Sequence, residues 1–283
     1  MANLAEFEVA GDLPPLAGGI AEFLAWWFAE PRLPSPEQAV LEAYYASFRR
    51  SFGPRMRRLY ANQVCEAETL VRKQPGLRVL EVGCGLDSES LWLALLGARV
   101  MALEVRPDRL AAARARQAVL EAALGRVLDL SFSGTPLLEL ESEPFDLVWL
   151  EQTFHHLEPR AAVVPHLARL VAPGGHLAIS EANALNPLLQ AELLWRRGWP
   201  RVATQPGPDG REVLYGVERV TRAGAIRRAF AGQGFDCLAL RRFRVFPNRP
   251  AFESLAALEA GLEGSWLAPL GTTHFNYLGR KAA

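Results

Sequence analysis

Apolar side chains recur at helical spacing over the first 75 residues of the chain. The spacing predicts helices over Ile20–Phe28, Ala39–Phe48 and Met56–Lys73. The second of these follows Ser35-Pro36-Glu37, a sequence typical of a helix start. Because no run in this region has the pattern of a strand, we predict a helical lead-in that packs against the later part of the chain.

From residue 78 onward, short apolar runs alternate with longer stretches of helical spacing. The predicted strands are Arg78–Val82, Ala98–Glu104, a weaker Arg126–Asp129, Phe145–Leu150 and His176–Glu181. The predicted helices between them are Ser88–Leu96, Arg109–Ala123 and Ala161–Val171. This alternation is the signature of βαβ units, and strands that are apolar throughout suit a parallel sheet covered on both faces.

The pattern changes again after the fifth predicted strand. Residues 182–216 contain several prolines and two tryptophans, and we predict a helix followed by a loop. An excursion of this length is usually functional or mobile. The remaining predicted elements are a helix over Thr221–Gln233 with Thr221 as its N-cap, a strand over Phe235–Phe246, a helix over Ala251–Leu262 and a strand over Thr272–Lys281.

Composition and charge narrow the class of protein. The 283 residues include 31 basic and 31 acidic side chains, so the net charge is zero. A balanced charge gives no electrostatic footprint for nucleic acid, which we therefore do not expect as a partner. Three dispersed cysteines argue against a disulfide framework and a cysteine metal site. The sequence shows neither a signal-peptide pattern nor an apolar stretch of membrane-spanning length, so we expect a cytoplasmic chain without membrane contact.

A glycine-rich turn stands where the first predicted strand gives way to a helix. Its sequence is Leu80-Glu81-Val82-Gly83-Cys84-Gly85. Glycines at such a place let the backbone approach a ligand beside the free N–H groups of a helix start. Glu104 ends the next strand, 21 residues after Gly83, where its carboxylate can accept hydrogen bonds from two ribose hydroxyls. The two features together predict an adenosine-containing ligand, and a tight turn without a ligand is the alternative.

Several segments resemble the motifs of class I S-adenosylmethionine-dependent methyltransferases, which are Rossmann-like enzymes. The first motif of that family is similar to Val79–Gly85, and its fourth motif is similar to Phe145–Val148 with the following His155-His156-Leu157. The helix, turn and fifth strand that come next are similar to Leu167–Leu170 with Pro173–Leu177. The spacing between these segments also agrees, and the resemblance covers about residues 60–181.

The resemblance implies a fold and a domain organisation. The fold is a doubly wound α/β architecture around a seven-stranded, mostly parallel sheet whose last strand is antiparallel. Residues 1–75 form an N-terminal helical lead-in or lid, and residues 76–181 form the cofactor-binding core. Residues 182–220 are an insertion that covers the substrate, and residues 221–283 complete the core. Additions of this kind around a common core resemble the methyltransferases that act on small molecules.

The resemblance also implies a cofactor, S-adenosylmethionine, and residues that bind it. Glu81 holds the methionine amino group, Gly83 and Gly85 accommodate the methionine moiety, and Glu104 binds the ribose. Asp129, which we predict to follow the third strand, accepts from the adenine amino group. The full set implied for the cofactor site is Glu81, Gly83, Cys84, Gly85, Glu104, Asp129, Leu130, Leu150 and Glu151.

The acceptor side of the site is predicted from side chains near the same sheet edge. His155 or His156 could take a proton from the acceptor, although packing beneath the cofactor is the simpler role for both. No Glu or Cys joins the two histidines at ligand spacing, so we predict no metal site. Trp195, Trp199, Trp27 and Tyr44 are candidates for contact with a small, partly apolar substrate.

Two alternatives remain open at the level of sequence. Asp87 stands where the family has a third glycine, which keeps open a non-catalytic, methyltransferase-like scaffold or partner protein. A nicotinamide-dependent oxidoreductase shares the glycine turn and Glu104, but its fingerprint needs a further glycine where this chain has Ser88. The sequence leaves the methyl acceptor, its reacting atom and the oligomeric state undetermined.

Overall fold

The computed structural model describes residues 14, 18–29, 32–207, 210 and 212–283. Its strands are β1 (Arg78–Val82), β2 (Arg99–Leu103), β3 (Leu130–Ser133), β4 (Phe145–Glu151), β5 (Val171–Ala182), β6 (Val202–Pro206), β7 (Glu212–Gly216), β8 (Phe235–Phe243) and β9 (His274–Lys281). Its α-helices are α1 (Ile20–Ala29), α2 (Ser35–Tyr44), α3 (Ala46–Arg50), α4 (Pro54–Lys73), α5 (Ser88–Leu95), α6 (Pro107–Leu124), α7 (Arg160–Leu170), α8 (Pro187–Arg197), α9 (Ala223–Ala231), α10 (Ala256–Glu263) and α11 (Ala268–Gly271). Short 3-10 turns cover Leu137–Glu139, Phe154–His156 and Pro250–Leu255.

Seven strands form one sheet in the order β3-β2-β1-β4-β5-β9-β8. The first five are parallel, and β9 is antiparallel to both of its neighbours, β5 and β8. This arrangement confirms the predicted fold class. The strand order reverses between β1 and β4, and in such sheets ligands bind at that switch point, outside the carboxyl ends of the strands.

Apolar residues on the two faces of the sheet build two halves of the core. Val79 of β1 and Trp149 of β4 pack on the face covered by α1, α4 and α5. Leu80 and Val148, one position along in each strand, pack on the face covered by α7 and α9. Because successive side chains of a strand point to opposite faces, this pairing explains why the central residues of both strands are apolar.

The third strand is misplaced in the sequence prediction. We predicted it over Arg126–Asp129, but β3 begins only at Leu130. As an edge strand it has one neighbour, β2, and it buries Leu130 while Ser131 stays exposed. The predicted segment instead carries Val127 at 74% exposure. The search for an apolar run therefore missed this strand, because an edge strand needs apolar residues only at alternate positions.

The insertion after β5 contains more structure than we predicted. Its helix α8 is present, but the expected loop is a hairpin in which β6 and β7 pair antiparallel from Val202↔Gly216 to Pro206↔Glu212. The hairpin is fixed to the core where Tyr215 forms a bridge with Leu157. A Cβ on Gly216 would overlap the carbonyl oxygen of His155, so the two backbones are in close contact.

Smaller differences concern helix boundaries. The predicted Ala39–Phe48 helix is divided at Tyr45, between α2 and α3. The predicted helix over 251–262 begins as a 3-10 turn and becomes α-helical only at Ala256. Thr221 is not the cap of α9, because it pairs with Asn183 as an isolated bridge and Arg222 precedes the helix instead. In the part of the chain that the structure describes, no helix is long and apolar enough to cross a membrane.

Candidate active site

The turn after β1 places two glycines in left-handed backbone conformations. Gly83 has a φ of 75° and Gly85 a φ of 57°, and the amides of Gly83 and Cys84 both donate to the Leu103 carbonyl at 2.9 Å. A Cβ on Gly83 would lie 2.5 Å from Thr153, and one on Gly85 would lie 2.5 Å from the Tyr44 hydroxyl. Glycine is therefore required at both positions, for conformation and for space.

Asp87 replaces the third glycine of the family motif and adopts the backbone conformation that a glycine would supply. It precedes α5 with a φ of 69°, which aspartate tolerates better than most residues. The side chain is fully buried, and neither carboxylate oxygen has a hydrogen-bond partner among the described residues. Burial raises its pKa well above the usual value, while Arg116 opposes that rise. The substitution is accommodated by the turn without distorting α5.

Three more acids converge below the turn. Glu81 accepts a short hydrogen bond from Ser90, Glu89 accepts one of 2.6 Å from Tyr60, and Glu151 accepts a short one from Gln63. Burial is the largest cause of the raised pKa values of Glu81, Glu89 and Glu151, and the charge of Glu89 raises the other two further. Such a group of buried, mutually repelling acids is typical of a functional site that receives a cation.

Glu104 lies where the sequence predicted it, immediately after β2 and beside the turn. Its carboxylate accepts from the Arg106 amide at 2.9 Å and lies 3.7 Å from the Arg109 guanidinium. Burial raises the pKa of Glu104, and the amides of Arg106 and Gly85 together with Arg109 oppose the rise. The carboxylate is therefore held by backbone donors next to the glycine turn.

Asp129 and Leu130 do not reach this edge of the sheet. Because β3 starts at Leu130, both residues lie at the amino end of the strand, level with Arg99 and Val100 of β2. About three residues of strand, roughly 10 Å, separate them from the carboxyl end. Their predicted contact with adenine is wrong. The carboxyl end of β3 instead carries Ser133, whose hydroxyl donates to the Thr135 hydroxyl at 2.8 Å.

A cavity of about 340 Å³ opens beside the turn, at the carboxyl ends of β1 and β4. Its lining combines acids and glycine-turn residues with aromatic, amide and cationic side chains. The lining residues are Tyr44, Tyr45, Ser47, Phe48, Tyr60, Gln63, Glu81, Gly83, Cys84, Glu89, Glu151, Gln152, Arg244 and His274. Leu150 is absent from the lining because it is fully buried in the sheet.

The structure brings only one of the four predicted substrate residues to the cavity. Tyr44 lines the cavity, and burial raises its pKa well above the usual value. Trp27 is 1% exposed and packs in the core against Phe23, so it is not available to a ligand. Trp195 and Trp199 are 87% and 83% exposed on the outer surface of the insertion. The prediction that they line the substrate site is wrong, and the α2–α3 region supplies the aromatic wall instead.

Arg244 and His274 are cavity residues that the sequence did not predict. Arg244 follows β8 with a φ of 62°, and its guanidinium lies 3.4 Å from His274 Nε2. Burial lowers the pKa of both side chains, and the charge of Arg244 further lowers that of His274. Arg244 follows β8 and His274 begins β9, both after the insertion, so their position at the cavity depends on the sheet order and leaves no local signal.

His155 and His156 lie outside the cavity lining, under the hairpin. The ring of His155 hydrogen-bonds through Nδ1 to Glu181 at 2.9 Å, and the ring of His156 bonds through Nδ1 to the Gly216 carbonyl at 2.9 Å. Burial alone would lower the pKa of His155, but Glu181 and Glu218 outweigh it and the pKa is raised. The premise that no carboxylate joins the two histidines is also wrong, because Glu218 lies beside them.

The seven-stranded sheet has the fold of class I, Rossmann-like S-adenosylmethionine-dependent methyltransferases. Magnesium protoporphyrin IX methyltransferase from Synechocystis PCC 6803, solved with bound SAH, superimposes with a TM-score of 0.54 at 18% identity. The match covers 87% of this chain and 100% of that one. Residues 80–179 match the model of the methyltransferase domain family. Residues 80–179, which include the glycine turn, are therefore similar to a methyltransferase domain.

Curated relatives are similar over a comparable length of chain. Methyltransferase GfsG of Streptomyces halstedii is 33% identical over 107 residues, which is 38% of either chain. The ubiquinone biosynthesis O-methyltransferase of Xylella fastidiosa strain 9a5c is 36% identical over 109 residues, covering 38% of this chain and 43% of that protein. The chain thus matches about two fifths of the length of these relatives.

Proposed function

We propose that the chain transfers the methyl group of S-adenosylmethionine to a small, partly apolar metabolite. The observation that carries the proposal is the glycine turn, which lines the cavity at the carboxyl ends of β1 and β4 through Gly83 and Cys84, with Glu104 held beside it. A dinucleotide-dependent oxidoreductase is not favoured, because the similarity over residues 80–179 is to methyltransferases.

The residues at the turn are suited to the parts of this cofactor. Glu104 would accept from the ribose hydroxyls, and Glu81 would hold the methionine amino group beside the turn at Gly83. The buried acids of the cavity suit a ligand that carries both an ammonium and a sulfonium charge. When bound, S-adenosylmethionine supplies an activated methyl group.

The aromatic and polar side chains of the same cavity would receive the acceptor. Tyr44, Tyr45 and Phe48 offer flat apolar surface, while Gln63 and Arg244 offer polar groups that orient a substrate. Alignment and exclusion of water supply most of what methyl transfer requires. If the acceptor must lose a proton, Glu151 is the group we infer to accept it, because burial raises its pKa and it faces the cavity.

A small-molecule acceptor agrees with the relatives, whose names include a ubiquinone biosynthesis O-methyltransferase and a magnesium protoporphyrin IX methyltransferase. The balanced charge of the chain supports the same choice over nucleic acid. A cytoplasmic location stays a prediction of the sequence.

Ligand-dependent thermal stability tests the proposal. We expect S-adenosylhomocysteine, the demethylated cofactor, to raise the melting temperature while NAD leaves it unchanged. Binding to the native state alone stabilises by about 2.7 kcal/mol at a hundredfold excess over the dissociation constant. A shift with NAD and none with S-adenosylhomocysteine would contradict the proposal. Binding of the cofactor without methylation of any acceptor in a metabolite extract would instead favour the non-catalytic scaffold.

Substitution of Gly85 by alanine should weaken cofactor binding more than it weakens the fold. The new Cβ would lie 2.5 Å from the Tyr44 hydroxyl, so the tyrosine must move across the turn. Gly125→Ala is a matched control, because Gly125 has a similar φ of 62° and open space around it. Both variants lose about 1–2 kcal/mol through left-handed strain. We expect several-fold weaker S-adenosylhomocysteine binding, measured by calorimetry, only for Gly85→Ala, and equal binding by both variants would contradict this.

A further inference from the structure

Beneath the hairpin, His155, His156 and Glu218 form a group of side chains that the methyltransferase site does not use. Each offers one ligand atom, and the three atoms lie within 4.8 Å of one another. The histidines belong to the turn after β4, and Glu218 follows β7. We propose that this group is a divalent metal site of the zinc type, which fixes the hairpin to the sheet.

The first support comes from what holds the two imidazole rings. His155 Nδ1 bonds to Glu181 Oε2 at 2.9 Å, and Glu181 is itself fully buried at the end of β5. His156 Nδ1 bonds to the Gly216 carbonyl at 2.9 Å. Histidines that bind a metal commonly donate their other ring N–H to a carboxylate or a backbone carbonyl. Both partners of that kind are present here, one for each ring.

These bonds leave Nε2 of each ring for the third ligand and the ion. A carbonyl can only accept, so His156 Nδ1 carries the proton and its Nε2 accepts from the Tyr215 hydroxyl at 3.2 Å, a bond that a metal ion would replace. His155 Nε2 lies 3.6 Å from Glu218 Oε2. The atoms that would coordinate an ion are therefore those on the Glu218 side of both rings.

The backbone around Glu218 gives an independent support. Glu218 has a φ of 49°, a left-handed conformation that is unfavourable for a glutamate. Strain of this kind persists where the surrounding structure imposes it, and it is concentrated at functional sites. Two residues earlier, Gly216 is in contact with the His155 backbone. The hairpin end is thus held against the turn, and the strained residue brings its carboxylate over the histidines.

The donor set indicates which metal would bind. Two imidazoles and one carboxylate are ligands that zinc accepts in a tetrahedral arrangement, with a fourth position left for water or another ligand. The Glu218 side chain is 46% exposed, so an ion and its water can enter from solvent. The competing arrangement is a protonated His155 held between Glu181 and Glu218 with no ion, and the experiment distinguishes the two.

Metal binding by the full chain tests the site without reference to activity. The purified protein is stripped with a chelator, dialysed near neutral pH and titrated with Co²⁺, followed by its visible d–d absorption, and separately loaded with Zn²⁺ for elemental analysis. We expect one ion per chain and a tetrahedral cobalt spectrum. Glu218→Gln should weaken Co²⁺ binding at least tenfold, with His156→Ala acting similarly.

Matched controls separate this site from adventitious binding. Glu212→Gln removes an exposed carboxylate from the same hairpin, and His166→Ala removes a histidine from α7, so neither should change the affinity for Co²⁺. Glu218→Gln preserves the size of the side chain, so it remains informative if a histidine variant misfolds. Absence of a stoichiometric ion, or equal binding by Glu218→Gln and the parent chain, would overturn the proposal. Binding of S-adenosylhomocysteine is measured on the same samples. It tests the proposed methyltransferase function and has no bearing on whether the metal site exists.

Discussion

The Glu104→Ala variant should bind S-adenosylhomocysteine at least tenfold more weakly than the parent chain, with its fold intact. The carboxylate is fixed by the Arg106 amide beside the glycine turn, so it is preorganised to accept from two hydroxyls. A charge-assisted hydrogen bond contributes about 1.5–3 kcal/mol, and each 1.4 kcal/mol is a tenfold change in affinity. Isothermal titration calorimetry measures the effect directly.

Asp129→Ala is the matched control for that experiment. Asp129 is also an acid adjoining a parallel strand, but it lies at the opposite edge of the sheet and is exposed. We expect its removal to leave cofactor affinity unchanged. Equal affinities for Glu104→Ala and the parent chain would mean that Glu104 serves only the Arg106 turn, and a loss in Asp129→Ala would mean that the cofactor binds elsewhere.

The largest effect on stability is expected from Arg116→Met. The guanidinium is fully buried in α6, where it donates to the Leu86 carbonyl and to Ser88 Oγ and lies 4.5 Å over the Trp27 ring. Its charge also opposes the rise in the pKa of Asp87. Removing it leaves buried acceptors unpaired and a buried acid without its counter-charge, which costs about 3–5 kcal/mol.

Urea unfolding of Arg116→Met and of Arg114→Met gives the comparison. Arg114 is on the same helix but exposed, so its substitution should change the free energy of unfolding by less than about 0.5 kcal/mol. If the two variants unfold at the same urea concentration, the buried arginine does not support the turn. In that case Asp87 is tolerated because its carboxyl group is protonated, without help from the charge of Arg116.

Local signals in the sequence were sufficient to predict the central strand β1 and the glycine turn. β1 was predicted with its observed bounds because Val79, Leu80 and Val82 are buried apolar residues, and the turn followed from the glycines next to it. Glu104 was predicted from its spacing along two consecutive βα units. The bounds of the edge strand β3 were predicted wrongly because a strand buried on one face has no continuous apolar run. That error placed Asp129 and Leu130 at the wrong end of the strand.

Contacts between distant parts of the chain explain the remaining differences. Arg244 and His274 reach the cavity only because β9 inserts between β5 and β8. Glu218 reaches the histidines only because the hairpin folds back onto the turn after β4. The sequence around Arg244, His274 and Glu218 gives no indication of which residues surround them in the fold. Trp195 and Trp199 suggested an apolar lining from composition alone, whereas α8 buries little more than Leu193.

The contacts of Arg116 bear on where this domain begins. One guanidinium joins Trp27 in α1 to Leu86 and Ser88 at the end of the glycine turn. Trp27 and its neighbour Phe23 belong to the same apolar cluster as Val79 and Trp92. A fragment that starts at residue 76 would therefore expose part of its own interior. The N-terminal helices thus share one apolar cluster with the sheet, and exchange of this segment would have to preserve the aromatic face that packs beside the glycine turn.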